Sequence, residues 1–169
     1  VTTDGLAVYA AGIAAAPVGE ANLDNTPFLI FTVDSLSRRM DTDAFLPLFT
    51  EWEAVLEQGL FLLPIDENGL VYNDVQKPHS PYGFTDTIGK TGTLYMESLL
   101  YWRACRMMEH MCKTYGVGNP DHFAEAAEAV ERSLSLLFDP AAGAFYAATK
   151  DCHQYDIWGM AYMLYIGFP

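Results

Sequence analysis

The sequence predicts an all-α chain, part of an (α/α)6 toroid with alternating inner and outer helices and long loops at one end. Three observations predict it. Helical runs that are apolar on every side alternate with amphipathic ones. An Asp lies just before, or in the first turn of, each inner-type run: Asp24, Asp86 and Asp156, spaced by roughly 60–70 residues, which suits one helix hairpin plus its loops. The links from inner to outer helices are short, and those from outer to inner helices are long. An ordinary helical bundle would also contain amphipathic helices, but it accounts less readily for the alternation and the regular acidic starts.

The first helix is expected from Pro27 to Met40, dense in apolar residues over its first two turns. Asn25 or Thr26 is its expected N-cap, with Pro27 at the first helical position. A short link, Met40-Asp41-Thr42-Asp43, leads to an amphipathic helix from Asp43 to Gly59 through Phe45, Leu48, Phe49, Trp52, Val55 and Leu56. The long stretch from Gly59 to Lys90 contains Asp66-Glu67-Asn68-Gly69, a hairpin-type turn between Phe61-Leu62-Leu63 and Leu70-Val71-Tyr72. Leu94 to Met111 is apolar nearly all round, as a helix enclosed by other helices must be. Gly116-Val117-Gly118-Asn119-Pro120 is a brief turn into a helix from about Asp121 to Phe138. That helix has Phe123, Ala127, Val130, Leu134 and Leu137 on one stripe, and Glu125, Glu128, Glu131 and Arg132 mostly on the other. After a second long loop, Asp139 to Tyr155, a last inner-type helix is expected from Asp156 to Ile166.

Half of the residues are apolar and 14% are aromatic, which excludes an intrinsically disordered chain. A net charge of −13 excludes nucleic acid and anionic membrane surfaces as partners, because their phosphates would be repelled. No stretch is a transmembrane span, and Leu6 to Pro17 is too short and lacks the basic leader of a signal peptide. The start on Val1 reads as a removed N-terminal segment or an excised piece of a longer protein, and about two and a half helix hairpins over residues 1–169 lead to the expectation of a fragment of a longer catalytic domain. Three cysteines, Cys105, Cys112 and Cys152, form no disulfide scaffold and favour a reducing compartment such as the cytoplasm. Neither CxxC nor HExxH spacing is present, so no metal is expected. The absence of a Walker loop, GxGxxG or GxSxG leaves no expected cofactor and no serine-hydrolase reading.

The long loops all feed inner-helix N-termini, so their polar and aromatic residues should gather at one end. The candidate set is Asn22, Asp24 and Asn25; Tyr72, Asn73, Asp74, His79, Tyr82 and Asp86; and Asp151, His153, Gln154, Tyr155, Asp156 and Trp158. A carbohydrate site needs carboxylates for acid–base work, aromatic faces for sugar C–H surfaces, and amides and hydroxyls for sugar hydroxyls. All three types are present. Each also has a structural alternative. The three Asp residues stand where N-caps would, worth about 0.5–2 kcal/mol each. His79 can order its loop, His110 reads as structural, and Trp102 and Trp158 read as readily as core.

Asn22-Leu23-Asp24-Asn25-Thr26-Pro27 resembles the glycine–hydrophobe–Asp–Asn–Ser segment of trehalase-like and processing-glucosidase-like enzymes of the six-hairpin glycosidase superfamily. The resemblance implies that Asp24 is the general acid that protonates the leaving glycosidic oxygen. Gln154-Tyr155-Asp156-Ile157-Trp158-Gly159-Met160-Ala161-Tyr162 looks like a late inner-helix start of glycogen-debranching-like members, and Tyr82-Gly83-Phe84-Thr85-Asp86-Thr87 with Lys90-Thr91-Gly92 is similar in kind. The chain departs from the pattern in having Ala21-Asn22 where the family has Gly, and no Arg at the usual distance after Asp24. The family's catalytic base, a Glu of a later hairpin, has no match. A full toroid needs twelve helices, roughly 400 residues, and this chain supplies about five.

The resulting expectation is an inverting glycoside hydrolase acting on a glucoside or oligosaccharide. Asp24 and Asp86 are the catalytic candidates. Asn22, Asn25, Tyr72, Asn73, His79, Tyr82, Tyr155, Asp156 and Trp158 would hold the sugar. An inverting pair stands about 6.5–9.5 Å apart, so the base would come from Asp86, Asp151, Asp156 or another subunit. The expected partners are a carbohydrate and either the remainder of the toroid or further copies of the chain. Two rival readings are a non-catalytic carbohydrate-binding piece and a helical-repeat protein-interaction module. A lyase or epimerase on the same toroid is a further alternative, since fold does not fix function.

Overall fold

The computed structural model describes residues 22–79 and 89–169, together with the backbone of 10–11 and 16–17. The chain is all-α. Its helices are α1 (Asn25–Ser37), α2 (Thr42–Phe61), α3 (Tyr95–Tyr115), α4 (Pro120–Ser133, continued by a 3-10 turn Leu134–Leu137) and α5 (Ile157–Ile166). Short antiparallel pairs stitch the connections: β1 (Ala10–Ala11) with β2 (Ala16–Pro17), β3 (Tyr72–Asn73) with β4 (Gly92–Thr93), and β5 (Phe138–Asp139) with β6 (Ala144–Phe145).

Helix α3 is the centre of the molecule. It packs against α1, α2, α4 and α5. Leu99, Leu100, Ala104, Cys105, Met108 and Met111 are fully buried, as the all-round apolar run requires. On α4 the whole expected stripe of Phe123, Ala127 and Val130, with Leu134 and Leu137 beyond, is buried. On α2 the stripe is rotated from the expected one. Phe45, Phe49, Leu56 and Leu60 are buried, whereas Val55 faces outward and Glu53 turns inward. Glu53 lies against Gly118, whose φ of 74° and missing side chain let the turn after α3 come close to the carboxylate.

The helix directions follow from side-chain pairs. Phe45 and Phe49, near the start of α2, lie 5.1 and 5.8 Å from Tyr115 at the end of α3, so α2 and α3 are antiparallel. The short link after α1 makes α1 antiparallel to α2 and therefore parallel to α3. In α5, Gly159 lies against Tyr95, Tyr162 accepts from Arg103 at 3.1 Å, and Phe168 beyond its end meets Trp102 at 4.9 Å. Hence α5 also runs parallel to α3. The N-termini of α1, α3 and α5 share one end.

Helix boundaries differ from the expected ones where local chemistry allows it. Helix α1 starts at Asn25 with Asp24 at the N-cap position, rather than with Asn25 or Thr26 capping. Pro27 then occupies the third helical position, where its missing N–H removes no intrahelical bond. Helix α2 runs on to Phe61 with Leu62 as its C-cap, so the expected first arm is taken up by the end of the helix and Ile65 pairs with Val71 instead. The Asp66–Gly69 turn is where it was expected: the Asp66 carboxylate accepts from Asn68 N at 2.9 Å and Leu70 N at 3.0 Å, and Gly69 takes a φ of 84°. Asn119 caps α4 by accepting from Asp121 N, with Pro120 at its first position.

Candidate functional site

The two long loops meet over the N-termini of α3 and α5. Leu94 N bonds Val71 O at 2.8 Å, Thr149 N bonds Thr93 O at 3.1 Å, and Lys150 N bonds Thr91 O at 3.1 Å. The Thr91 hydroxyl donates to the Asp151 carboxylate at 2.6 Å. These bonds give the end a fixed floor, because extended backbone satisfies its donors only by pairing.

Asp24 is buried at 1% exposure at the head of α1, and its side chain makes no cap hydrogen bond. Asn22 and Asn25 flank it, each half-buried, and Asn25 N bonds Asn22 O at 3.3 Å. Asp156 heads α5 and does cap it, its Oδ1 accepting from Gly159 N at 2.8 Å. Its other oxygen lies 3.8 Å from Lys90 Nζ, which in turn donates to Glu97 Oε1 at 3.5 Å. All three groups are buried. Burial raises the Glu97 carboxyl to about 7; nearby Lys90 opposes the rise and Asp156 adds to it.

Asn73 is a loop organiser. Its amide donates to His79 O at 2.9 Å and Lys90 O at 2.7 Å, and its oxygen accepts from His79 N at 2.9 Å. Tyr72 is half-buried in β3, and His79 is half-buried at the end of the described loop. Asp74 is exposed and caps its own turn through Gln76 N at 2.7 Å. Tyr82 and Asp86 lie outside the described residues.

On the α5 side an aromatic stack projects from the loop. Tyr146 is sandwiched between His153 at 3.9 Å and Tyr155 at 5.1 Å between ring centroids. The hydroxyls of Tyr155 and Tyr146 donate to Asp139 Oδ2 at 2.7 and 2.9 Å. These bonds hold the Asp139 carboxyl below its usual range and push the Tyr155 phenol up. Gln154 is exposed, and Trp158 is 80% exposed on the open side of α5.

The tertiary structure therefore joins Asp156 to Lys90 and Glu97, and Tyr155 to Asp139, Tyr146 and His153. Asp24 heads α1, which begins at the same end. Lys90, Glu97 and Asp139 had not been singled out as site residues. Glu97 had a signal: it is the lone acid in the apolar run Leu94–Leu100, and a buried acid requires a partner. Among the described residues, no three His, Cys, Asp or Glu side chains are arranged to hold a metal ion, and no helix is long and apolar enough to cross a membrane.

The fold is shared with a region of a glycosidase. A GH78 family rhamnosidase of Bacillus sp. GL1, known from its crystal structure, superimposes with a TM-score of 0.68 at 15% identity. The match covers 88% of this chain and 16% of that one, so the chain spans about one sixth of the rhamnosidase. At that identity the likeness concerns the fold. The rhamnosidase family of its title is not among the trehalase, processing-glucosidase and debranching groups that the short segments resemble. No family model matches the sequence, and no curated protein matches it.

Proposed function

We propose that this chain is a section of a glycoside hydrolase with an (α/α) toroid. Its sugar would bind at the end where α1, α3 and α5 begin, and Asp24 would act as general acid in an inverting reaction. One observation carries the reading. Two buried carboxylates, Asp24 and Asp156, head the parallel helices α1 and α5 at the end where the long loops converge, on a fold similar to part of a rhamnosidase. In this reading Asn22, Asn25, Tyr72, His79, Tyr155 and Trp158 shape the pocket, Asp156 orients the floor, and Asp86 remains the candidate second carboxylate. The substrate is a glycoside; a glucoside is suggested by the segment around Asp24, and a rhamnoside by the structural neighbour's title.

The test is hydrolysis of a panel of aryl α-glucosides and α-L-rhamnosides, with the anomer of the released sugar followed by NMR. Asp24→Asn should lower kcat by about 10²–10⁴-fold while unchanged circular dichroism shows that the fold persists. Loss of the fold in that variant would return Asp24 to a purely structural role, and no turnover of any glycoside by the full enzyme containing this section would remove the enzymatic reading.

A second reading concerns partners. Ile157, Trp158, Leu164 and Tyr165 are all more than 70% exposed, and their spacing places them on one stripe of α5. A stripe of this kind is the face against which a further helix hairpin would pack. It supports either the rest of a toroid or another copy of the chain as the partner, and native mass spectrometry separates the two.

A further inference from the structure

Beyond the acid–base role proposed for Asp24, the buried Lys90–Glu97–Asp156 cluster holds chemistry of its own. It joins three separate pieces of chain: the segment entering β4, the first turn of α3, and the N-cap of α5. We propose that it is a proton-linked clamp, in which a proton taken up by Glu97 keeps the start of α5 seated against α3, and release of that proton loosens it.

The geometry sets up the conflict that a proton relieves. One ammonium group faces two carboxylates, all buried, so the ionised cluster carries an uncompensated negative charge out of water. The contacts are long, at 3.5 and 3.8 Å, and Glu97 Oε2 and Asp156 Oδ2 have no hydrogen-bond partner among the described residues. Asp156 is already committed through Oδ1 to Gly159 N, so Glu97 is the carboxyl that can change state without uncapping the helix. Its raised proton affinity, reaching about 7, agrees with this assignment.

The charged neighbours support it from each side. Lys90 and Asp156 are the ionisable groups that act on Glu97. From the same loop, Cys152 is half-buried, feels all three, and has its thiol pushed up chiefly by burial. Asp151 is occupied by the Thr91 hydroxyl. Tyr95, two residues before Glu97, is pushed up by burial and by Asp156. Neither Asp24 at the head of α1 nor any side chain of α2 or α4 is among the groups acting on Glu97.

The sign of the linkage is definite. An acid whose folded pKa lies above its unfolded value of 4.5 binds its proton more tightly in the folded state. Its contribution to stability is complete below about 4.5 and is lost as pH rises through about 7. One such proton changes the folding constant by up to about tenfold per pH unit within that window.

The experiment compares urea unfolding from pH 5 to 8 for the wild type and Glu97→Gln. Alongside it run a ¹³C NMR titration of the wild-type Glu97 carboxyl and amide exchange at Gly159 and Met160, corrected for intrinsic base catalysis. The clamp predicts a carboxyl that titrates near neutrality and a fall in wild-type stability across the window that is absent in the variant. It also predicts faster exchange at the start of α5 above pH 7. Asp156→Asn should move the Glu97 midpoint downward. A Glu97 carboxyl titrating near 4.5 overturns the proposal, as does exchange at Gly159 that ignores its ionisation. Should Glu97→Gln fail to fold, the wild-type titration and exchange decide alone. None of these readouts depends on glycosidase activity, so the clamp and the proposed function stand or fall separately.

Discussion

Helices α3 and α5 are both apolar on nearly every side in sequence, yet they live in different surroundings. Helix α3 has neighbours all round, and from Tyr95 to Trp102 every residue is buried. Helix α5 is covered on one face only, where Gly159 and Met163 meet Tyr95, and it exposes Ile157, Trp158, Leu164 and Tyr165 on the other. Hydrophobic patterning thus records the surroundings a helix is built for. Whether those surroundings are present depends on which other elements are there to supply them.

Three substitutions bear on that contrast. The largest effect belongs to the enclosed helix. Leu99→Ala should destabilise the fold by about 2–5 kcal/mol in urea titrations, because the surrounding helices cannot collapse onto the cavity. A cost below 1 kcal/mol would mean that α3 is loosely packed and the contrast with α5 is illusory.

An intermediate effect is expected where the two helices touch. A Cβ at Gly159 would stand 2.6 Å from the Tyr95 ring. Gly159→Ala should therefore destabilise by about 1–3 kcal/mol through overpacking, even though alanine is intrinsically the better helix former by about 1 kcal/mol. A stabilised variant would show that α5 does not sit this closely on α3.

The smallest effect on folding belongs to the open face. Trp158→Ser should change the stability of the monomer by no more than about 0.5 kcal/mol. Self-association measured by sedimentation should weaken if copies of the chain cover that stripe. A loss of stability like that of Leu99→Ala would place Trp158 in a core and contradict its exposure.

Much of the helical frame was legible beforehand. The α4 stripe is the best case, because an amphipathic helix with a polar outer face advertises its orientation at every turn. The Asp66–Gly69 turn was equally readable, since carboxylate capping and a positive φ demand those residue types. Less legible was the rotation of α2, where Glu53 lies inward and Val55 outward. Periodicity assumed that an acid faces water, and the close approach of Gly118 decided otherwise. Asp24 and Asp156 read alike as acidic helix starts, but only Asp156 caps through its side chain. Asn73 read as a sugar ligand, whereas its amide is occupied by the loop backbone.

By itself the sequence determined that the chain is helical, which helical runs are apolar all round and which amphipathic, and where the hairpin turn and the α4 cap fall. These are properties of neighbours within a few residues, set by side-chain period, capping chemistry and glycine's tolerance of positive φ. Only the tertiary structure decided that Lys90, Glu97 and Asp156 share one buried cluster, that Asp139 anchors two tyrosines, and which face of α5 lies open. Those depend on residues far apart in the chain: Lys90 and Asp156 are 66 positions apart, and Tyr95 and Met163, where α5 seats, are 68 apart. The physical reason is that electrostatic and packing energies follow distance in space, which local periodicity does not encode.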